Sequence, residues 1–583
     1  MLPRHYRVVA VACLVLAGGA VSHAQENPPA GEWIAPEAIA VLEISQPKAL
    51  LDAALDSTIS QAVKASPAYR DWISQPDFQQ LFAAVDFFEA SLDTDWRTGL
   101  GKLLGGGVTL AICPDETALM LVDSEDEKML SQMHEMTLGI ARGQAAKRGE
   151  PERVASGDHR GVQAWTFAKN EAHAILGNRL VIANNPEALK AVIDLRDAGA
   201  KRSLASLASY QAAGQAVGEG AAARLFVNLD AVKRHLPFEK ALAENTNLGA
   251  AFLFGGMAEA ARGSSWMAMG LRVDQGRLAL EVVLDGGTPE AASPLAFAVP
   301  ATEGEGALPV LTVPRRIAGL SLYRDLYAFY AAKDELFPER TSGLIFFENM
   351  MGIFFTGREL TEEVLAETHP EIRVVVAGQQ YDPEIGTPAV QLPAFAAVFR
   401  LRDAAKFSGV VEEAWQKAVG LINFTRGQEA LPGLIIDRPV HADVKFTTAY
   451  FAPPEEEGGR DIHQRFNFRP SLAVVDDSLI LSSTEGLTID LIDALKAEKD
   501  RAAQSMGGTH SVLAVDAPRL AALLRANQEG LISGNMIKKG QTRQQAENEL
   551  QVLLTLLETL PEARLEMGTR GGHPQATLEL GGR

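Results

Sequence analysis

The segment Ala172 to Leu195, AHAILGNRLVIANNPEALKAVIDL, predicts a β-hairpin followed by a helix. Two short apolar runs flank a polar Gly177-Asn178 turn, and after a polar break apolar residues recur three and four positions apart. Leu472 to Leu495, LAVVDDSLILSSTEGLTIDLIDAL, has the same order, with Asp476-Asp477 at the turn. The same hairpin-helix unit is therefore predicted in both halves of the chain.

Outward from this unit, the pattern of strands and helices from about Ile39 to Asp285 returns in the same order from about Ile317 to Leu580. The strands alternate only partly between apolar and polar residues, and they are joined by tight turns or by helices. We therefore predict an α+β fold of two similar halves. Each half should hold a mostly antiparallel or mixed sheet with helices packed on one face.

The N-terminus predicts export from the cytoplasm. Arg4 and Arg7 precede an apolar run, and Ser22-His23-Ala24 places small residues at the two positions that a signal peptidase recognises. The alternative, a retained membrane anchor, is disfavoured because Val8 to Val21 is short for a bilayer span of roughly 20 residues. Cleavage after Ala24 would leave an extracytoplasmic protein, periplasmic or secreted, without a transmembrane segment in the mature chain.

The predicted organisation follows from composition and pattern. It comprises a signal peptide over residues 1–24, a flexible lead-in over 25–37, a first α+β half over 38–287, a Pro- and Gly-rich connection over 288–314, and a second α+β half over 315–583. Halves of this size can each bury a large core without covalent cross-links.

Charge and cysteine content narrow the class of protein. The formal net charge of −20 at pH 7 repels phosphate backbones, so we predict that the protein does not bind nucleic acid. Signal cleavage would remove Cys13 and leave Cys113, which excludes an internal disulfide. Because Cys113 ends an apolar run, it is predicted to be a buried small hydrophobe and not a reactive thiol.

The predicted signal peptide and the repeated strand-then-helix units, separated by Leu- and Ala-rich helices, resemble large uncharacterised secreted bacterial proteins of the domain-of-unknown-function type. This resemblance covers most of the mature chain. It implies location and architecture, and it assigns no catalytic, cofactor-binding or metal-binding residues.

Two motifs suggest enzyme chemistry, but neither is complete. Ser45-Gln46-Pro47-Lys48 matches the S-x-x-K motif of penicillin-recognising enzymes, but the accompanying K-T-G and S-D-N motifs are missing. We therefore expect Ser45 to cap the helix that Pro47 opens. His134-Glu135 resembles the start of a zinc-protease helix, but position 138 is leucine. The other histidines stand singly, so catalytic, cofactor and metal residues are all predicted as none.

Acidic residues have simpler structural explanations. Asp95 is predicted to cap a helix from Trp96 to Leu104, and the acidic run from Asp123 to Glu127 falls where another helix should begin. Neither cluster has the alternating pattern of a calcium loop.

The segment Leu344 to Phe355, LIFFENMMGIFF, has binding character because it holds four phenylalanines and two adjacent methionines. We expect a helix packed between the sheet and its neighbours, with Phe346, Phe347, Met350, Met351 and Phe354 mostly buried. The alternative is a groove for a ligand or partner, since methionine and phenylalanine form adaptable apolar surfaces. Its counterpart in the first half is the plainer helix Phe78 to Leu92.

These observations favour a non-catalytic extracytoplasmic protein that binds an envelope partner or forms a scaffold for one. The alternative is a carrier for an apolar small molecule or lipid, with its cavity near Leu344 to Phe355. A third class is an enzyme whose site assembles from distant residues. The partner, protein or apolar ligand, and the binding residues stay unknown at this level.

Overall fold

The computed structural model describes residues 27–581 except 57–59, 62–63, 65–68, 70–72, 75–84, 115, 169–170, 236–247, 275–276, 288–292, 454–462, 502–503 and 561. The predicted signal peptide and the start of the predicted helix Phe78 to Leu92 lie outside these residues. Two compact units divide the chain: unit 1 is Met1–Ala241 with Gly263–Gly286, and unit 2 is Leu242–Arg262 with Gly287–Arg583.

Unit 1 contains strands that are mostly five to nine residues long. They are β1 Ala40–Ile44, β2 Gly107–Ile112, β3 Ala118–Asp123, β4 Ala155–His159, β5 Val162–Thr166, β6 Ala172–Leu176, β7 Arg179–Ala183, β8 Ala223–Asn228, β9 Trp266–Asp274 and β10 Arg277–Leu284. Its helices are α1 Pro47–Asp56, α2 Trp96–Leu104, α3 Glu127–Lys147, α4 Pro186–Ala198, α5 Ala208–Val217 and α6 Leu229–His235.

The strands of unit 1 form an antiparallel sheet in the order β4-β5-β6-β7-β3-β2-β1-β8-β9-β10. The predicted hairpin is β6 and β7, with Ala172 opposite Ala183 and Leu176 opposite Arg179. Gly177 occupies the turn at φ 63°, a left-handed conformation that glycine adopts without steric cost. The predicted helix α4 follows, and the side chain of Asn185 caps it by accepting from the Ala188 N–H.

Unit 2 begins with α7 Leu248–Gly263, of which Gly263 falls in unit 1. Its strands are β11 Arg316–Tyr323, β12 Thr368–Ala377, β13 Ala394–Leu401, β14 Leu434–Asp437, β15 Val440–His441, β16 Val444–Lys445, β17 Thr447–Phe451, β18 Ser471–Val475, β19 Ser478–Ser482, β20 Thr509–Val515, β21 Ala563–Arg570 and β22 His573–Leu580. Its further helices are α8 Leu326–Ala331, α9 Lys333–Leu336, α10 Thr341–Phe354, α11 Ala404–Gln428, α12 Glu485–Arg501, α13 Ala517–Ala526, α14 Gln528–Lys539 and α15 Arg543–Thr559.

The main sheet of unit 2 is also antiparallel, in the order β14-β17-β18-β19-β13-β12-β11-β20-β21-β22. This is the strand order of unit 1 once β15 and β16, which pair with each other, are set aside. The α+β class and the antiparallel sheets are as predicted. Internal duplication stays a prediction, and the shared strand order supports it.

Helices cover both faces of each sheet, so the prediction of helices on one face is wrong. Along β3, Leu119 and Leu121 pack in one core cluster with residues of α4, whereas Met120 and Val122 pack in another with residues of α3. In unit 2, β18 likewise contributes to one cluster with α12 and to a second with α11. The near-continuous apolar run of β3 is typical of a strand that is buried on both faces.

The predicted flexible lead-in packs against unit 1 over its described part. Ala30–Trp33 forms a short 3₁₀ helix, and Trp33 and Ile34 are buried in the main core cluster of the unit. Part of the predicted connection over 288–314 is also packed: Ala296–Ala298 is a 3₁₀ helix, and Phe297 is buried against α7 and α8. Burial of large aromatic side chains holds both stretches in place although they are rich in proline and polar residues.

None of the helices in the described ranges combines the length and apolar character that crossing a lipid bilayer requires.

Candidate functional site

Ser45 and Lys48 do not form a catalytic pair. The Lys48 ammonium forms an ion pair with Asp52 one turn later in α1, at 2.5 Å. The Ser45 hydroxyl donates to the carbonyl of Ala221 at 2.8 Å and does not cap α1, so the predicted capping role is wrong. The side-chain hydroxyl joins the end of β1 to the residues before β8.

His134 acquires a histidine neighbour through the fold and not through helix spacing. His173, on β6, places its Nε2 3.1 Å from Nε2 of His134 on α3. Among the described residues, no group of three or more histidine, cysteine, aspartate or glutamate side chains is placed to hold a metal ion. Sequence reasoning missed this pair because the two histidines are separated by 39 positions.

Two other histidines pair with aspartates on α4 and α12. His159, at the end of β4, lies 2.8 Å from Asp194, and His441, in β15, lies 2.7 Å from Asp493. Asp194 and Asp493 occupy matching positions of the two hairpin-helix units. In both units, therefore, a histidine joins a strand end to the helix that follows the quoted hairpin.

The predictions for the acidic residues at helix starts and for the burial of Cys113 are confirmed. Asp95 caps α2 by accepting from the Thr98 N–H, and Asp126 caps α3 by accepting from the Met129 N–H. Cys113 is buried, and this burial raises the pKa of its thiol to about 11. A thiol with so high a pKa is not a nucleophile at neutral pH.

The apolar segment forms α10 as predicted, but the expected burial of its phenylalanines is wrong. Phe346 and Ile353 are each 71% exposed, Ile345 is 52% exposed and Phe347 is 39% exposed. Met350, Met351 and Phe354 are half-buried. Since exposing such side chains to water forgoes roughly 1.5 to 3 kcal/mol each relative to full burial, this surface is costly for the free protein.

The helical repeat explains which side of α10 is exposed. Leu344, Met351 and Phe355 recur at helical spacing and pack against the core cluster that includes Phe407 and Val411 of α11. The opposite side carries Ser342, Ile345, Phe346, Asn349 and Ile353, which we call the α10 face. Because the segment is apolar on nearly all sides, a single packed stripe leaves the other large side chains in solvent.

The α10 face carries no formal charge. Glu348 is the one charged residue between Thr341 and Phe355, and its carboxylate pairs with Lys333 at 3.3 Å. A face without charge can be covered by an apolar surface without the desolvation cost of buried ions.

A second group of exposed apolar side chains follows in α11, in β14 and in the segment between them, within the same unit. Its members are Leu421, Ile422, Phe424, Leu431, Ile435 and Ile436. The side-chain amide of Asn423 holds the end of α11 on β14. It accepts from the Leu434 N–H at 2.6 Å and donates to the Leu434 carbonyl at 2.9 Å.

The end of α10 is joined to α11 by polar contacts, since the side chain of Thr356, just after α10, contacts Glu413 and Lys417 of α11.

An apolar pocket lies in unit 1, between α2 and the described residues that precede it. Phe88, Leu92, Leu100 and Leu103 contribute to its lining, and its volume is about 40 Å³. Pockets that hold small-molecule ligands are roughly 300 to 1,000 Å³. This pocket is therefore too small for an apolar cargo.

The fold and the α10 face define an α+β protein of two compact units that exposes an uncharged apolar helix surface. Residues 104–252 match the model of a family described as "Protein of unknown function (DUF3352)". Over this stretch, which runs from the end of α2 into α7, the chain is similar to a family of uncharacterised domains. No curated protein matches the chain significantly.

Solved structures of TP0453 show a distant likeness. Crystal form III is 9% identical, with 46% of this chain and 84% of that chain covered and a TM-score of 0.24. Crystal form IV is 8% identical, with coverage of 44% and 79% and a TM-score of 0.22. TM-scores this low do not establish a shared fold.

Proposed function

We propose that this protein is a non-catalytic, extracytoplasmic binding protein that holds a protein partner of the cell envelope on the α10 face. The observation that carries the proposal is the exposure of Ile345, Phe346 and Ile353 on one uncharged side of a helix. Contiguous exposed apolar surface of this kind marks interaction sites in soluble proteins. The group on α11 and β14 would extend the contact area within unit 2.

The carrier alternative has less support. It requires an enclosed apolar cavity near α10, whereas Leu344, Met351 and Phe355 pack against the side chains of α11. The third class, an enzyme, loses the support of its two motifs, because Lys48 pairs with Asp52 and His134 contacts a histidine and not a metal set.

The proposal predicts that replacing Ile345, Phe346 and Ile353 together by serine weakens partner binding by at least about 100-fold. Each side chain would lose roughly 1 to 2 kcal/mol of burial in the complex, and 1.4 kcal/mol corresponds to a factor of ten in Kd. The melting temperature should hardly change, since the substitutions lie outside the core. A photo-crosslinking residue at Asn349, on the same face, identifies the partner in native envelopes, and the affinity is then measured with purified components.

A matched control replaces Leu531, Met536 and Ile537 of α14 by serine. These side chains are also exposed and apolar, so the control removes similar surface from another helix of unit 2. Equal loss of affinity in both variants would contradict the assignment of the α10 face. If Asn349 crosslinks to lipid alone, and if the protein binds protein-free vesicles but the α10 variant does not, the proposal of a protein partner is wrong. The α10 face would then bind a membrane surface.

A further inference from the structure

His134 and His173 meet inside unit 1, where α3 covers one face of the sheet. Both residues are buried, at 8% and 3% exposure. Their Nε2 atoms lie 3.1 Å apart. A hydrogen bond at this distance requires a proton on one nitrogen and a lone pair on the other.

Glu171 determines where the protons of this pair reside. The Nδ1 atom of His173 lies 2.5 Å from the Glu171 carboxylate, which accepts and does not donate when ionised. His173 therefore carries a proton on Nδ1. One further proton is shared along the Nε2 to Nε2 contact, and the contact cannot form if both Nε2 atoms are protonated.

The surroundings of the pair are mainly aromatic. The ring of Trp165 lies 4.6 Å from that of His134, and Phe167 lies 4.6 Å from His173. Arg153 donates to the carbonyl of Phe167, the residue whose ring contacts His173, at 3.1 Å, and it pairs with Glu150. Glu171 is the carboxylate in direct contact with His173, and a single carboxylate offsets one positive charge and not two.

We propose that the His134-His173 pair is an acid-sensitive contact that releases α3 from the sheet of unit 1 when both rings become charged. The second charge removes the acceptor between the rings and places two imidazolium groups side by side in a buried site. Release of α3 exposes its own apolar side chains Met129, Leu130 and Met133, which pack on the sheet in the closed form. This acid-sensitive contact does not depend on the α10 face, which lies in unit 2.

The electrostatics of His134 agree with this geometry. Burial, with a smaller effect of His173, lowers the pKa of His134 from 6.5 to about 4. In the closed form, with α3 packed on the sheet, the His134 ring is therefore neutral. In the open form, with α3 released, His134 takes up a proton near pH 6.5. Stability of the closed form is complete above pH 6.5 and is lost as the pH falls from 6.5 towards 4.

The test follows hydrogen exchange of residues 127–147 in the full chain between pH 7 and pH 4, corrected for the intrinsic pH dependence of exchange. If α3 takes up one proton when it opens, the equilibrium constant for its opening should rise by up to about tenfold for each pH unit below pH 6. Emission of Trp165 should shift to the red in parallel. The amides of α12 report on unit 2 and separate local release from general acid unfolding.

His134→Gln is the decisive variant, because its side-chain amide still donates to His173 but does not titrate. This variant should keep α3 closed down to about pH 4.5, and His134→Phe provides a second non-titrating side chain. His159→Gln is the matched control, and it should behave like the unchanged protein. Opening of α3 over the same pH range in both His134 variants, or no opening in the unchanged protein, overturns the proposal.

Discussion

Replacing Arg324 by methionine is expected to destabilise unit 2 by about 4 kcal/mol, because it leaves several buried acceptors without a donor. Arg324 is completely buried just after β11. Its guanidinium donates to the carbonyls of Phe252, Leu253, Ala298, Tyr323 and His510 and to the Ser511 hydroxyl. Burial lowers the pKa of this guanidinium to about 10, so it stays charged at neutral pH.

The effect should concentrate on α7, because Phe252 and Leu253 belong to that helix. Urea unfolding gives the loss of stability, and hydrogen exchange of residues 248–263 locates it. Arg324→Lys should recover part of the loss, since an ammonium supplies fewer donors than the planar guanidinium. Arg438→Met, at an exposed ion pair with Glu412, is the control and should cost less than about 1 kcal/mol. Unchanged protection of α7 in Arg324→Met would show that these hydrogen bonds do not hold the helix.

The second large effect is expected in unit 1, where Arg179→Met should cost about 3 to 5 kcal/mol. Arg179, at the start of β7, is 2% exposed and donates twice to the Asp123 carboxylate, at 2.7 and 2.9 Å. It also donates to the Pro28 carbonyl and lies over the ring of Trp33 at 4.3 Å. Methionine keeps much of the packing but leaves the Asp123 carboxylate without its cation.

A double variant tests this reason directly. Arg179→Met with Asp123→Asn should be more stable than Arg179→Met alone, because the amide removes the uncompensated charge. Thermal unfolding followed by near-ultraviolet circular dichroism reports the core through Trp33. If the double variant is as unstable as the sum of the two single variants, the cost comes from lost packing around Trp33 and not from the buried carboxylate.

Local pattern was sufficient for the elements of the sheets. The turn residues Gly177-Asn178 and Asp476-Asp477 lie between strands where predicted, and the pairing registers of the two hairpins follow from these short turns. Asp95 and Asp126 begin their helices because a carboxylate there satisfies free backbone N–H groups. These features depend on residues within a few positions of one another.

The contact partners of side chains that are distant in sequence could not be predicted from local pattern. Arg179 lies in an apolar strand and Arg324 lies just after one, and this position indicates a buried cation. The sequence does not show, however, that Asp123 or the carbonyl of Phe252 is the acceptor. The contact of His134 with His173 arises because α3 crosses the sheet over β6. Each of these pairings depends on how the chain folds back on itself.

For α10, the apolar composition predicts burial, whereas several of its side chains are exposed. The residues of LIFFENMMGIFF predict an apolar helix with a single charged residue, Glu348, and this much follows from the sequence alone. Which side chains are covered depends on the partner helix: α11 covers the stripe containing Leu344 and Met351, and the described chain leaves Ile345, Phe346 and Ile353 in solvent. The hydrophobic effect favours burial of all of them, but a helix that packs on one side buries only that side. Sequence therefore determined the elements and their apolar character, whereas tertiary packing decided which apolar surface is left for a partner.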